Sequence, residues 1–156
     1  MEDTPTVAAV RRFLALVLEG IPPADAVLAR ALDELALAYH DAPIGEPDDN
    51  DDGVDRAKDD YRRLYDHLGA RFPEYGYYPV VDPAGATDQE NGLNDAIDDL
   101  ADITRDLGDT LWRFEHFNAD DAHWHFRFDY QIHWGRHLRE LSYYLYAKIS
   151  RDLSER

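Results

Sequence analysis

The sequence has no cysteine and a single methionine. Without thiols there is no disulfide framework, no thiol nucleophile, no iron–sulfur cluster and no cysteine-ligated zinc. A small secreted fold held together by disulfides is excluded with them. Long apolar runs are also missing. The best stretch, Phe13 to Leu18, follows Arg11 and Arg12 and stops at Glu19-Gly20. That is far short of the roughly 18–20 apolar residues that cross a bilayer. The first residues, Met1-Glu2-Asp3, are acidic where a secretory signal is basic. A cytoplasmic protein with no membrane partner is expected. Sequence repeats are absent too.

Positive charge is scarce. The 16 Lys and Arg face 33 Asp and Glu, for a net charge of −17 with histidine neutral. Such a field repels a phosphate backbone, so no nucleic-acid partner is expected. It admits a basic protein, a cation or a metal. Neither a phosphate-cradling glycine loop nor a G-x-S-x-G elbow occurs, and no cofactor is expected. What is present is ordinary globular material: 156 residues, 44% hydrophobic and 31% charged, enough for one domain with a sizeable core.

Five segments read as helix, and no strand stands out, so the fold class expected is an all-α, single-domain bundle with a long C-terminal helix. The first helix runs from Pro5 to Glu19, capped by Thr4 with Pro5 at the first helical position. The second runs from Pro23 to His40 on a stripe of Leu28, Leu32, Leu35 and Tyr39. The third runs from Asp52 to Phe72. A tyrosine-rich loop, 73–87, follows; its Tyr75, Tyr77 and Tyr78 are expected to pack down on the helices. The fourth helix begins between Thr87 and Asn94, with Thr87-x-x-Glu90 as one candidate capping box, and ends near Phe117. The fifth continues from 122 to about Leu153. Gly135 lies inside it at a cost of about 1 kcal/mol relative to alanine, which close approach of a neighbouring helix or ring would explain.

The segment Asp99-Leu100-Ala101-Asp102-Ile103 with Asp106-Leu107, followed by Trp124, Phe128 and His133-Trp134-Gly135-Arg136-His137-Leu138, resembles a bacterial family described only as domain of unknown function 5063. The likeness is good from Asn94 to Leu145 and looser before it. Thr104 stands where an aromatic is expected. The resemblance implies an all-helical fold and carries no reaction.

Chemistry therefore has to be sought in the residues. Asp95, Asp98, Asp99, Asp102, Asp106 and Asp109 fall within an arc of about 100° on the fourth helix. Leu93, Ile97, Leu100, Leu107 and Leu111 centre on the opposite side, so the acids read as a solvated or salt-bridged outer face, and otherwise as ligands for a divalent metal. The fifth helix is net basic and offers counter-charge. Its core line, Trp134, Leu138, Leu141, Leu145 and Ile149, extrapolates back through Gln131 and Arg127. A buried Arg127 paired with Asp102 or Asp106 is expected, or an anion-holding pocket around the same four side chains. His133 and His137 stand four apart with Glu140 three further on, a spacing that can chelate Zn²⁺ or Fe²⁺ given another ligand. Asp48-Asp49-Asn50-Asp51-Asp52-Gly53 begins like a calcium loop. It fails at the twelfth position, Asp59, and at the eighth, Asp55, so tight calcium binding is not expected.

Two functions follow. One is a non-enzymatic interaction protein whose acidic face meets a basic partner. The other is a metal-dependent hydrolase, of a nucleotide or phosphate ester, using the fourth-helix carboxylates or the fifth-helix histidines. No one cluster supplies nucleophile, base and stabiliser together, so the sequence does not decide whether the chain is an enzyme. Nor does it give the oligomeric state.

Overall fold

A computed structural model describes residues 1–49 and 61–156. Helix α1 (Pro5–Leu18) starts as expected: Thr4 accepts from the Val7 amide, and Pro5 occupies the first turn, where an amide would lack a partner. Helix α2 (Asp25–Asp41) buries Leu28, Leu32 and Leu35. Helix α3 (Tyr61–Arg71) is the described part of the third segment, whose expected start, 52–60, lies outside the described residues.

Both ends of the tyrosine-rich loop depart from expectation. Strand β1 (Tyr77–Val80) pairs antiparallel with β2 (Gly92–Asp95), in the register Tyr77 to Asp95 and Val80 to Gly92. Four residues with a proline among them give too little alternation to read as a strand. Pairing, not propensity, sets them. The loop between the strands is closed by Gln89, which bonds the backbone of Asp82 and Ala86. Thr87 therefore does not cap α4. Helix α4 (Ala96–His116) starts later than expected and is capped by Asp95, which accepts from the Ile97 amide.

Helix α5 (Ala119–Asp129) passes through one π-helical turn (Tyr130–Trp134) into α6 (Gly135–Ser154) with no break in the rod. The apolar residues Ala122, Phe126, Tyr130, Trp134 and Leu138 recur every four, and on an α-helix each such step drifts by about 40°. A wider π turn takes up that drift. It also explains Gly135. Its amide closes the π turn on the Tyr130 carbonyl, and a Cβ there would lie 2.4 Å from that oxygen and 2.9 Å from the Tyr130 ring.

Helix α4 is the centre of the bundle, packed by α1, α3, α5 and α6. One side buries Ile97, Leu100, Ile103 and Leu107 in the main core with Val10, Phe13, Leu32, Trp134 and Leu138. Asp99 on this helix is buried, and Asp98, Asp102, Asp106 and Asp109 are half-buried. Thr104 is buried as well, its hydroxyl bonded to the Leu100 carbonyl.

Candidate metal centre

The acidic stripe of α4 is therefore turned against other elements. On one flank α3 and β1 supply tyrosines. Tyr61 donates to Asp98, Tyr65 to Asp95 and Tyr78 to Asp99. Phenols suit this role because they donate without bringing charge. Burial and the adjoining carboxylates keep them protonated: burial and Asp98 raise the Tyr61 pKa, burial and Asp99 that of Tyr78, and Asp95 pushes Tyr65 up to about 12.

On the other flank stand His133, in the π turn, and His137, on the first turn of α6. Each ring uses its two nitrogens differently. His133 Nδ1 lies 2.6 Å from Asp106 Oδ2, and His137 Nδ1 lies 2.7 Å from Asp99 Oδ1. Both Nε2 atoms then converge on one oxygen: Asp102 Oδ2 is 3.2 Å from His137 Nε2 and 3.8 Å from His133 Nε2. One ligand atom from each of Asp102, His133 and His137 lies within 4.8 Å of the other two. The rings meet edge to face, 4.8 Å between centroids.

The electrostatics are unbalanced. Burial raises the pKa values of Asp99, Asp102 and Asp106, against the pull of the histidines. Burial also opposes an imidazolium at His137, but Asp99 and Asp102 more than offset it and its pKa lies above the ordinary value. Nearby, Asp129 sits half-buried; burial first, then Asp106 and Asp109, push it up to about 7. Asp99 is 1% exposed, whereas the His133 side chain keeps 37%, so the centre opens to solvent on the histidine side. That opening is a pocket of about 230 Å³ lined by Asn94, Ile132, His133, Arg136, His137 and Glu140.

Five sequence-selected residues do not join the cluster. Arg127 does not pair with Asp102 or Asp106. It is half-buried, donates to the carbonyls of Tyr39 and Ala42 at the end of α2, and lies over the Tyr39 ring. Gln131 is exposed and bonds the Tyr39 hydroxyl. The π turn is the reason: it inserts one residue, so the core line that extrapolates to 127 and 131 falls on 126 and 130. A cation at the carbonyl end of a helix is favourable in its own right, and Arg71 does the same for α1 through the carbonyls of Val17, Glu19 and Gly20. Glu140 does not reach the histidines either; it pairs with Arg136 Nε at 2.8 Å and accepts from Asn94. Asp109 belongs to a separate network with Arg113. Of the calcium-like loop, Asp48 is tied to α5: its amide donates to Asp121 and its carboxylate accepts from Asn118. Asp49 is exposed, and the remainder of that motif, 50–59, lies outside the described residues.

Sequence reasoning missed the roles of Asp99, Tyr61, Tyr65 and Tyr78. Their partners come from elements distant in sequence, and spacing along one helix does not report them.

The comparisons agree with the fold. A crystal structure of protein BF1032 from Bacteroides fragilis is similar over 90% of this chain and 87% of its own, at a TM-score of 0.65 and 19% identity, which speaks for a common fold. No curated protein matches the chain. The model of a family described as domain of unknown function 5063 matches residues 6–148, nearly the whole length and including every residue of the α4–α6 cluster, and the chain belongs to that family.

Proposed function

We propose that the protein binds a divalent first-row transition metal through Asp102, His133 and His137, and that the bound metal serves hydrolytic chemistry. One observation carries the reading. Each histidine has its Nδ1 held by its own carboxylate, Asp106 or Asp99, while both Nε2 atoms turn to a third carboxylate. Metal-binding histidines are oriented in this way, by an outer carboxylate that fixes the tautomer and strengthens the ligand. Two imidazoles and a carboxylate suit Zn²⁺, Fe²⁺ or Co²⁺ better than Mg²⁺ or Ca²⁺, which prefer oxygen alone. Asp102, His133 and His137 would leave at least one position for water, which Zn²⁺ in such a site would make acidic enough to ionise near neutral pH.

The cluster also gathers the carboxylates of α4 and the histidine pair, which the sequence offered as alternatives, into one site. The expectation of a basic partner rested on the net charge and in part on those same carboxylates facing solvent. They are half-buried or buried and bonded to histidines and tyrosines, so no observation favours that second reading.

Titration of metal-free protein with Co²⁺, followed by calorimetry and visible absorption, tests the proposal. One ion per chain is expected, with affinity falling at least about tenfold in His137→Gln and again in the His133→Gln/His137→Gln pair. Cobalt affinity unchanged in the double variant would refute it.

A further inference from the structure

The pocket beside the histidines has a chemistry of its own. His133 and His137 form part of its wall, so any ligand in it lies against the proposed metal. Its volume, about 230 Å³, admits only a small molecule or the head of a larger one. Arg136 contributes the cation at its rim. The guanidinium is engaged by Glu140 through Nε alone, and no protein partner meets its two terminal nitrogens among the described residues. Its side chain is 73% exposed. Glu140 is itself anchored, only 19% exposed and accepting from Asn94, whose amide also reaches the Tyr78 hydroxyl. The chain Tyr78–Asn94–Glu140–Arg136 thus fixes one edge of a planar fork and leaves the other edge free. A free guanidinium edge matches two oxygens of a tetrahedral oxyanion.

The surroundings add a condition. Asp99, Asp102, Asp106 and Glu140 all lie near this pocket, and the first three approach it through the histidines they hold. In the metal-free protein such a field repels an anion, and one exposed arginine does not overcome it. A divalent ion at Asp102, His133 and His137 would offset part of this negative charge and offer open coordination positions. Resting on the metal reading above, we infer that the pocket holds the phosphate group of a small phosphate monoester, that Arg136 and the metal grip it together, and that anion binding depends on the metal. Glu140 is a positioning residue in this arrangement, acting through Arg136.

Inorganic phosphate is the probe. It is added to cobalt-loaded protein while the visible bands of the ion are followed, and to metal-free protein by calorimetry. Saturable perturbation of the bands is expected in the loaded protein, and no binding in the metal-free one. Arg136→Gln should weaken phosphate by about tenfold or more while cobalt affinity stays the same. Glu140→Gln should weaken phosphate less, and Arg136→Lys should restore part of the loss. Phosphate binding equal in wild type and Arg136→Gln, or equal with and without cobalt, would overturn the inference and leave the metal site standing. Cobalt that fails to bind at all would remove both. Because Arg136 is exposed, its substitution is not expected to disturb folding, and circular dichroism checks that directly.

Discussion

Two polar networks flank the core of α4, and they are built on opposite principles. Toward the carbonyl end, Arg113 lies between Asp109, at 2.8 Å, and Asp121, at 3.3 Å. Asp121 is fully buried, and its other oxygen accepts the Asp48 amide with His125 at 3.5 Å. The loop before it is locked by the same contacts: Gly45, at φ +71°, sits where a Cβ would meet the Asp120 carbonyl at 2.3 Å. A guanidinium never loses its proton in a protein, so the cation at the centre of this network is present at every working pH. In the middle of α4, by contrast, three carboxylates are answered by two imidazoles, and of these His137 is held above its ordinary pKa by Asp99 and Asp102 against burial. One network is built around a fixed cation and ties α4 to α5 and to the loop before it. The other carries an excess of negative charge that a proton or a metal ion reduces.

The largest expected effect breaks the network around Arg113. Arg113→Ala leaves Asp121 buried without its charged partner, and loss of about 3–5 kcal/mol of stability is expected by chemical denaturation. Metal affinity should change little in whatever folded protein remains. A smaller effect sharpens the open network. Asp106→Asn removes the carboxylate that orients His133, and a 10–100-fold loss of cobalt affinity, roughly 1.4–2.7 kcal/mol, is expected with the fold intact. A purely structural role would lower the melting temperature and spare the affinity. Least is expected from Asp129, whose raised pKa means that the folded chain holds a proton the unfolded chain gives up above about pH 4. Its stability penalty is absent in acid and complete above about pH 7. Asp129→Asn should therefore stabilise by about 1–2 kcal/mol near pH 8, after allowance for solvent screening, and by much less near pH 4.

The two networks also differ in how far the sequence announces them. Helix α1 is legible from Thr4-Pro5, and the rod after Asn118 from its apolar repeat. The i, i+4 pair His133 and His137 and the acidic residues Asp102 and Asp106 can be picked out by spacing alone, because a helix places them on one face whatever surrounds it. That the two faces meet is not legible. An acidic stripe opposite an apolar one reads as solvated, and only the central place of α4 in the bundle turns it inward. One inserted residue in the π turn is enough to divert Arg127 and Gln131 to the end of α2. The short β1–β2 pair and the tyrosine donors depend on partners far along the chain, as does the Arg113–Asp121 pair, and no local pattern encodes such contacts.

The most direct measurement is thermal unfolding at about pH 5.5 and about pH 8, metal-free and with excess Co²⁺. In the metal-free protein the raised pKa values of Asp99, Asp102, Asp106 and Asp129 mean that the folded state binds more protons than the unfolded one above the ordinary carboxylate range. Stability from these groups is lost as pH rises. His137, also raised, contributes stability that is full below about pH 6.5 and lost as pH climbs through its folded value. His123, lowered by burial, works in the other direction, losing stability as pH falls. The metal-free protein should thus melt higher at about pH 5.5. Cobalt competes with the same protons, so its stabilisation should be larger at about pH 8 and should narrow or reverse the difference. A metal-free protein more stable at the higher pH, or a cobalt increment that is absent or the same at both, would contradict an open centre on α4.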